Sequence, residues 1–201
     1  MATLLQINSG VFSDNSQSSK LANQIVSTWA AKNPEGAVVK HDLTSFEIPH
    51  LDSATIGAFF TPADQRSDEQ KQAVALSDQL IAEVKAADII VVGVPMYNLS
   101  IPSPLKAWID HICRAGETFK YNEQGQPVGL VGDKKVIIAA ARGGLYEGSA
   151  YDTQTEWLKH IFGLIGITSL EFVYAEGLAM GEEKAKEGFA NAEQRIESLA
   201  I

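Results

Sequence analysis

The run Ile89-Ile90-Val91-Val92-Gly93-Val94 is almost wholly apolar and rich in β-branched side chains. It suits a strand covered on both faces, as in a parallel sheet; a half-exposed strand would alternate instead. Pro95 ends the run, because proline cannot donate to a central ladder. Met96-Tyr97-Asn98-Leu99 follows as a loop, and Pro102 and Pro104 suit the first turn of a helix over residues 103–114. In an open parallel sheet, ligands sit beyond the carboxyl ends of the strands. This loop therefore lies where a ligand is expected.

The rest of the chain repeats the alternation of strand and helix. Strands are predicted over residues 3–8, 37–42, 134–141 and 169–175, and helices over 20–31, 67–87, 153–164 and 182–200. Residues 43–66 carry Pro49, Gly57, Phe59, Phe60 and Pro62 without a clear period, and read as a long irregular connection of the kind that often serves function. Thr118 to Tyr121, with Asn122 to Pro127, has hairpin or loop chemistry. Five strands alternating with helices specify an α/β fold, a doubly wound five-stranded parallel sheet with helices on both faces. The flavodoxin-like order 2-1-3-4-5 is favoured, with its switch point between strands one and three.

The 201 residues fit one domain, 1–201. A net charge of −9 argues against nucleic acid or an anionic membrane as a partner. A single cysteine, Cys113, excludes a disulfide framework and suits a reducing cytoplasm; it reads as a small buried hydrophobe. The start of the chain lacks a signal-peptide pattern, and no apolar run approaches the roughly 20 residues that span a bilayer. His41, His50, His111 and His160 show no metal-ligand spacing.

Three loops converge on one mouth of this sheet. Ser9, Gly10, Ser13, Ser16, Gln17 and Ser18 lie between the first strand and a helix opening near residues 16–19. Free N–H groups at a helix start attract phosphate, and hydroxyls add orientable donors. Simple N-capping by serine accounts for the same residues. The loop lacks both the dinucleotide glycine fingerprint and the nucleotide P-loop pattern. Pro95, Met96, Tyr97, Asn98 and Leu99 offer N–H groups, an amide and flat apolar surfaces, as a planar heteroaromatic ring requires; an ordinary turn would fit too. Ala141, Arg142, Gly143 and Gly144 permit close backbone approach to a ring, or a plain turn with a solvated arginine. The conjunction points to a phosphate-bearing planar ring.

On Ser16-Gln17-Ser18, Pro95-Met96-Tyr97-Asn98, Arg114-Ala115-Gly116 with Thr118-Phe119, Arg142-Gly143-Gly144, Gly166-Ile167-Thr168 and Ala175-Glu176-Gly177, the chain resembles the FMN-dependent NADH-azoreductases, a branch of the flavodoxin-like NAD(P)H–quinone oxidoreductases. The resemblance covers almost the whole chain. It implies an FMN phosphate on the serine loop, contact of Met96 to Leu99 with the isoalloxazine, and Gly143 and Gly144 on its pyrimidine side. It extends the cofactor set to Ser9, Gly10, Ala141, Arg142 and Tyr146. Gly10 stands where serine is common in the family, Ala141 where Ser or Thr is common, Leu99 where phenylalanine is frequent and Tyr146 where histidine can occur.

The resemblance also implies a ping-pong transfer of two electrons from NADH or NADPH to quinones and azo compounds, with no catalytic acid or base assigned. It implies a homodimer with the flavin site at the interface. Phe59, Phe60, Phe119, Tyr121 and Leu164 are the substrate-side candidates; core or interface packing is their alternative. A flavodoxin-type electron carrier is the competing function. A serine hydrolase is disfavoured by the lack of a Gly-x-Ser-x-Gly elbow.

Overall fold

The computed structural model describes residues 1–132 and 134–201. Five parallel strands, β1 (Thr3–Asn8), β2 (Ala37–Asp42), β3 (Ile89–Pro95), β6 (Lys135–Ala141) and β7 (Ser169–Ala175), form one sheet in the order β2-β1-β3-β6-β7. Counted among its own strands this is the expected 2-1-3-4-5. The apolar run lies centrally, with Ile7 beside Val92 on one flank and Ile138 beside it on the other.

Successive residues of a strand face opposite ways, so β1, β3, β6 and β7 each feed two cores, while the edge strand β2 leaves Val38 exposed. Leu5, Ile90, Val92 and Ile138 pack with Leu80 and Val84 of α3 (Asp68–Ala86), Trp108 of α4 (Ser103–Ile112) and Phe162 of α5 (Thr155–Leu164). Leu4, Val91, Ile137 and Val173 pack with Ile25 and Trp29 of α1 (Gln17–Lys32) and Ile196 of α6 (Glu182–Glu197). A fully buried Ile or Leu is worth about 1.5–3 kcal/mol, so covering both faces decides the layering. Cys113 is half-buried against the first core, and burial pushes its thiol up to about 12.

The connection over 43–66 is not irregular throughout. It contains α2 (Ser53–Phe60) and a 3₁₀ turn at Ala63–Gln65. The Asp52 side chain caps α2, accepting from Thr55 N at 2.7 Å. Of the α2 residues only Ala58 is fully buried, so no apolar stripe marks the helix in the sequence.

Parallel strands put all carboxyl ends at one edge. α5 starts at that edge and runs back, so Leu164 ends near Ser169, where β7 begins. The hairpin of β4 (Phe119–Tyr121) and β5 (Pro127–Gly129) docks at the same amino-terminal end. There Val131 N donates to Ile165 O at 3.1 Å. A Cβ on Gly129 would meet Gly166 N at 2.1 Å, so glycine lets the two backbones touch. Strands of this length separate the two ends by about 20 Å.

Candidate cofactor site

A cleft of about 310 Å³ opens beyond β1, β3 and β6. Phe12, Asn15, Ser16, Gln17, Pro95, Met96, Tyr97, Ala141, Arg142, Gly143 and Leu178 line it. Its floor is the start of α1. The first α-helical bond there is Lys20 N to Ser16 O, so the N–H groups of Gln17, Ser18 and Ser19 have no intrahelical acceptor. The Ser18 and Ser19 hydroxyls are fully buried and unpartnered among the described residues. Ser16 Oγ accepts from Phe12 N at 3.1 Å, and Ser13 donates to the Asp42 carboxylate, which fixes the loop. Burial would raise the Asp42 carboxyl, but hydrogen bonds from Ser13 and Thr44 outweigh it and hold the group below its ordinary value.

Residues 97–100 form a tight two-residue turn. Tyr97 N donates to Ser100 O and Ser100 N to Tyr97 O, both at 3.0 Å. Asn98 and Leu99 both lie in the left-handed region, with φ of 50° and 61°. That is a type I′ turn, which favours Asn-Gly. Tyr97 also reaches across to the first loop, where its hydroxyl accepts from Val11 N at 3.3 Å.

The third wall depends on a buried ion network. The Arg142 side chain is 1% exposed. Its guanidinium donates to Asp152 Oδ1 at 2.9 Å, Glu176 Oε1 at 3.0 Å and Thr155 Oγ1 at 3.2 Å, and lies 4.7 Å from the Tyr174 ring centre. Glu176 also accepts from Tyr146 N and Glu147 N. Burial would raise the Asp152 carboxyl, but hydrogen bonds from Thr155 and Arg142 hold it below its ordinary value. Burial pushes the Tyr174 phenol up to about 12.

The expected residues divide into groups. Ser16, Gln17, Pro95, Met96, Tyr97, Ala141 and Gly143 meet at the cleft. Gly10 packs directly against Ser16 and Ser18, while Asn98 and Leu99 are exposed on the adjoining turn. The Tyr146 ring lies over Gly144 rather than in the lining. Ser9 is fully buried and its hydroxyl donates to Gly93 O at 2.6 Å, so it presents no free donor. The Arg142 guanidinium is likewise buried rather than solvated, with both terminal nitrogens hydrogen-bonded inside the protein and Nε left without a partner among the described residues. Phe59 packs on Arg114, 5.2 Å from ring centre to guanidinium carbon, and Phe60 is exposed on α2. Phe119, Tyr121 and Leu164 lie at the amino-terminal end, away from their own chain's cleft. Phe12, Asn15 and Leu178 escape the sequence reading. Phe12, a large exposed apolar residue among serines, was the available signal.

This arrangement has close counterparts. The flavodoxin-like fold family matches residues 2–200. The FMN-dependent NADH:quinone oxidoreductase of Cellvibrio japonicus (strain Ueda107) is 53% identical over 197 residues, 98% of each chain. The chain belongs to this flavodoxin-like family. Among solved structures it is similar to an azoreductase from Bacillus anthracis strain Sterne, with 31% identity, TM-score 0.89 and 98% of each chain covered. It is also similar to an FMN-dependent NADH-azoreductase from Bacillus anthracis strain Ames Ancestor in complex with FMN, with 26% identity, TM-score 0.86 and full coverage of both chains. Among the described residues no cluster of three or more His, Cys, Asp or Glu is set to hold a metal, and no helix is long and apolar enough to cross a membrane.

Proposed function

We infer that the chain is an FMN-dependent oxidoreductase that passes two electrons from NADH or NADPH to quinones and azo compounds in a ping-pong cycle. One observation carries this reading. The start of α1 holds unpaired N–H groups beside a buried, orphaned Ser18 hydroxyl, at the switch point between β1 and β3. Those donors suit a phosphate, and the dipole of a 16-residue helix favours its charge. The ring would lie between Tyr97 and the Gly143-Gly144 backbone. Bound FMN supplies the two-electron chemistry. The chain's part is to orient the ring and to place N–H donors where reduced flavin gathers negative charge.

Residues 1–201 serve as one FMN-binding unit in the cytoplasm, for which the lone cysteine argues. The active form is a homodimer. Phe119 is buried against the Tyr121 ring, so support comes from Tyr121 and Leu164, which stand about 20 Å from their own cleft. A two-fold axis that sets two chains side by side and antiparallel brings them to the partner's cleft.

The test is flavin titration of the purified protein, followed by NADH with a quinone. Uptake of FMN with a shifted visible spectrum, then steady NADH oxidation, is expected. No FMN uptake overturns the reading. Uptake without NADH oxidation favours an electron carrier.

A further inference from the structure

Gln154 stands at the N-cap of α5, where Ser, Thr, Asp or Asn would normally cap the helix. Its side chain makes no cap hydrogen bond. It is turned the other way and is 1% exposed. Nε2 donates to Pro95 O at 3.1 Å and to Ser100 O at 2.8 Å, one acceptor on either side of the 97–99 turn. Both partners are carbonyls, which fixes the amide orientation. Oε1 is left without a partner among the described residues. The neighbouring Thr153 hydroxyl donates to Leu99 O, the carbonyl of the second left-handed residue.

We propose that Thr153 and Gln154 are positioning residues that hold the 97–100 turn in its unfavourable type I′ shape, and through it set the flavin's affinity and electronic environment. This rests on the FMN reading above. Three features support it. A leucine in the left-handed region does not stay there by preference, so something must hold it. The donors that hold it come from a segment distant in sequence. The same segment, through Asp152 and Thr155, also grips Arg142 at the opposite wall. Residues 152–155 thus fix the spacing of both walls from beneath.

The test uses two near-isosteric variants, Gln154→Met and Thr153→Val, and each one combined with Leu99→Gly. Thr153 is exposed, so Thr153→Val remains folded even where Gln154→Met does not. Amide exchange is measured at Tyr97 and Ser100, with FMN dissociation constants, bound-flavin spectra and midpoint potentials. Each single variant is expected to speed exchange at both amides and to weaken FMN binding about tenfold, the equivalent of one hydrogen bond. The bound-flavin spectrum and potential shift with it. Leu99→Gly, which creates Asn-Gly, restores slow exchange at both amides, because that turn needs no external hold. Unchanged exchange, affinity and potential in the single variants, with wild type still binding FMN, overturn the proposal alone. Wild type that takes up no FMN overturns the flavin reading and this proposal with it.

Discussion

Leu99 is the residue at which local preference and the fold disagree most openly. Its φ of 61° places Cβ against the following carbonyl, at a cost of roughly 1–2 kcal/mol. Its side chain is 40% exposed, so little packing is lost on removing it. Leu99→Gly should therefore raise the urea midpoint by the equivalent of about 1 kcal/mol with unchanged slope. No gain would show that the turn relaxes at no cost. Asp152 gives a second residue-scale prediction. Its folded carboxyl is held below its ordinary value by Thr155 and Arg142, against the burial that would raise it. The resulting stability is complete above the unfolded value of about 4 and is lost as pH falls through the folded one. Urea midpoints of wild type and Asp152→Asn should differ by a constant amount from pH 7 to about 5, then converge below about 4. Parallel curves down to pH 3 would refute the assignment.

At the scale of elements, the start of α1 makes the sharpest prediction. An unpaired buried hydroxyl costs about 1–3 kcal/mol, and a hydrogen bond to a charged group returns a similar amount. Ser18→Ala should leave flavin-free stability unchanged or higher, yet weaken FMN binding about tenfold or more. Thermal melts with and without FMN measure both; a variant weakened in both states would mark Ser18 as structural instead. The serine loop and the apolar run were legible because composition alone selects them. Gly10 was only partly so. The family resemblance sets serine as common there, whereas a Cβ would sit 2.4 Å from Ser16 Cβ, so this loop path requires glycine. The α2 helix was hidden because it is eight residues long, with Ile56 and Phe60 exposed. The Arg142 network was hidden because its partners, Asp152 and Glu176, are distant in sequence and meet only in the fold. Loop chemistry is local and readable; the groups that brace the loops are not.

Tyr121 is 63% exposed opposite Pro127 on a hairpin whose Val128 is also exposed, at the end of the sheet opposite the cleft. In an antiparallel side-by-side two-fold dimer each site takes its loops from one copy and its aromatics from the other. Two separately damaged chains should then complement one another. Gln17→Asp puts a carboxylate in the first turn of α1, where the helix dipole tolerates it but a phosphate would be repelled. Tyr121→Ala removes the exposed ring without opening the core. Each homodimer should have little quinone reductase activity. After mixing under conditions that exchange subunits, half of the dimers are hybrids, each with one intact site, so about one quarter of wild-type activity should return. Activity should also fall on dilution as dimers separate. Hybrid dimers isolated by differential tagging that remain as inactive as their parents would show that each chain carries a complete site, and the amino-end aromatics would then belong to packing alone.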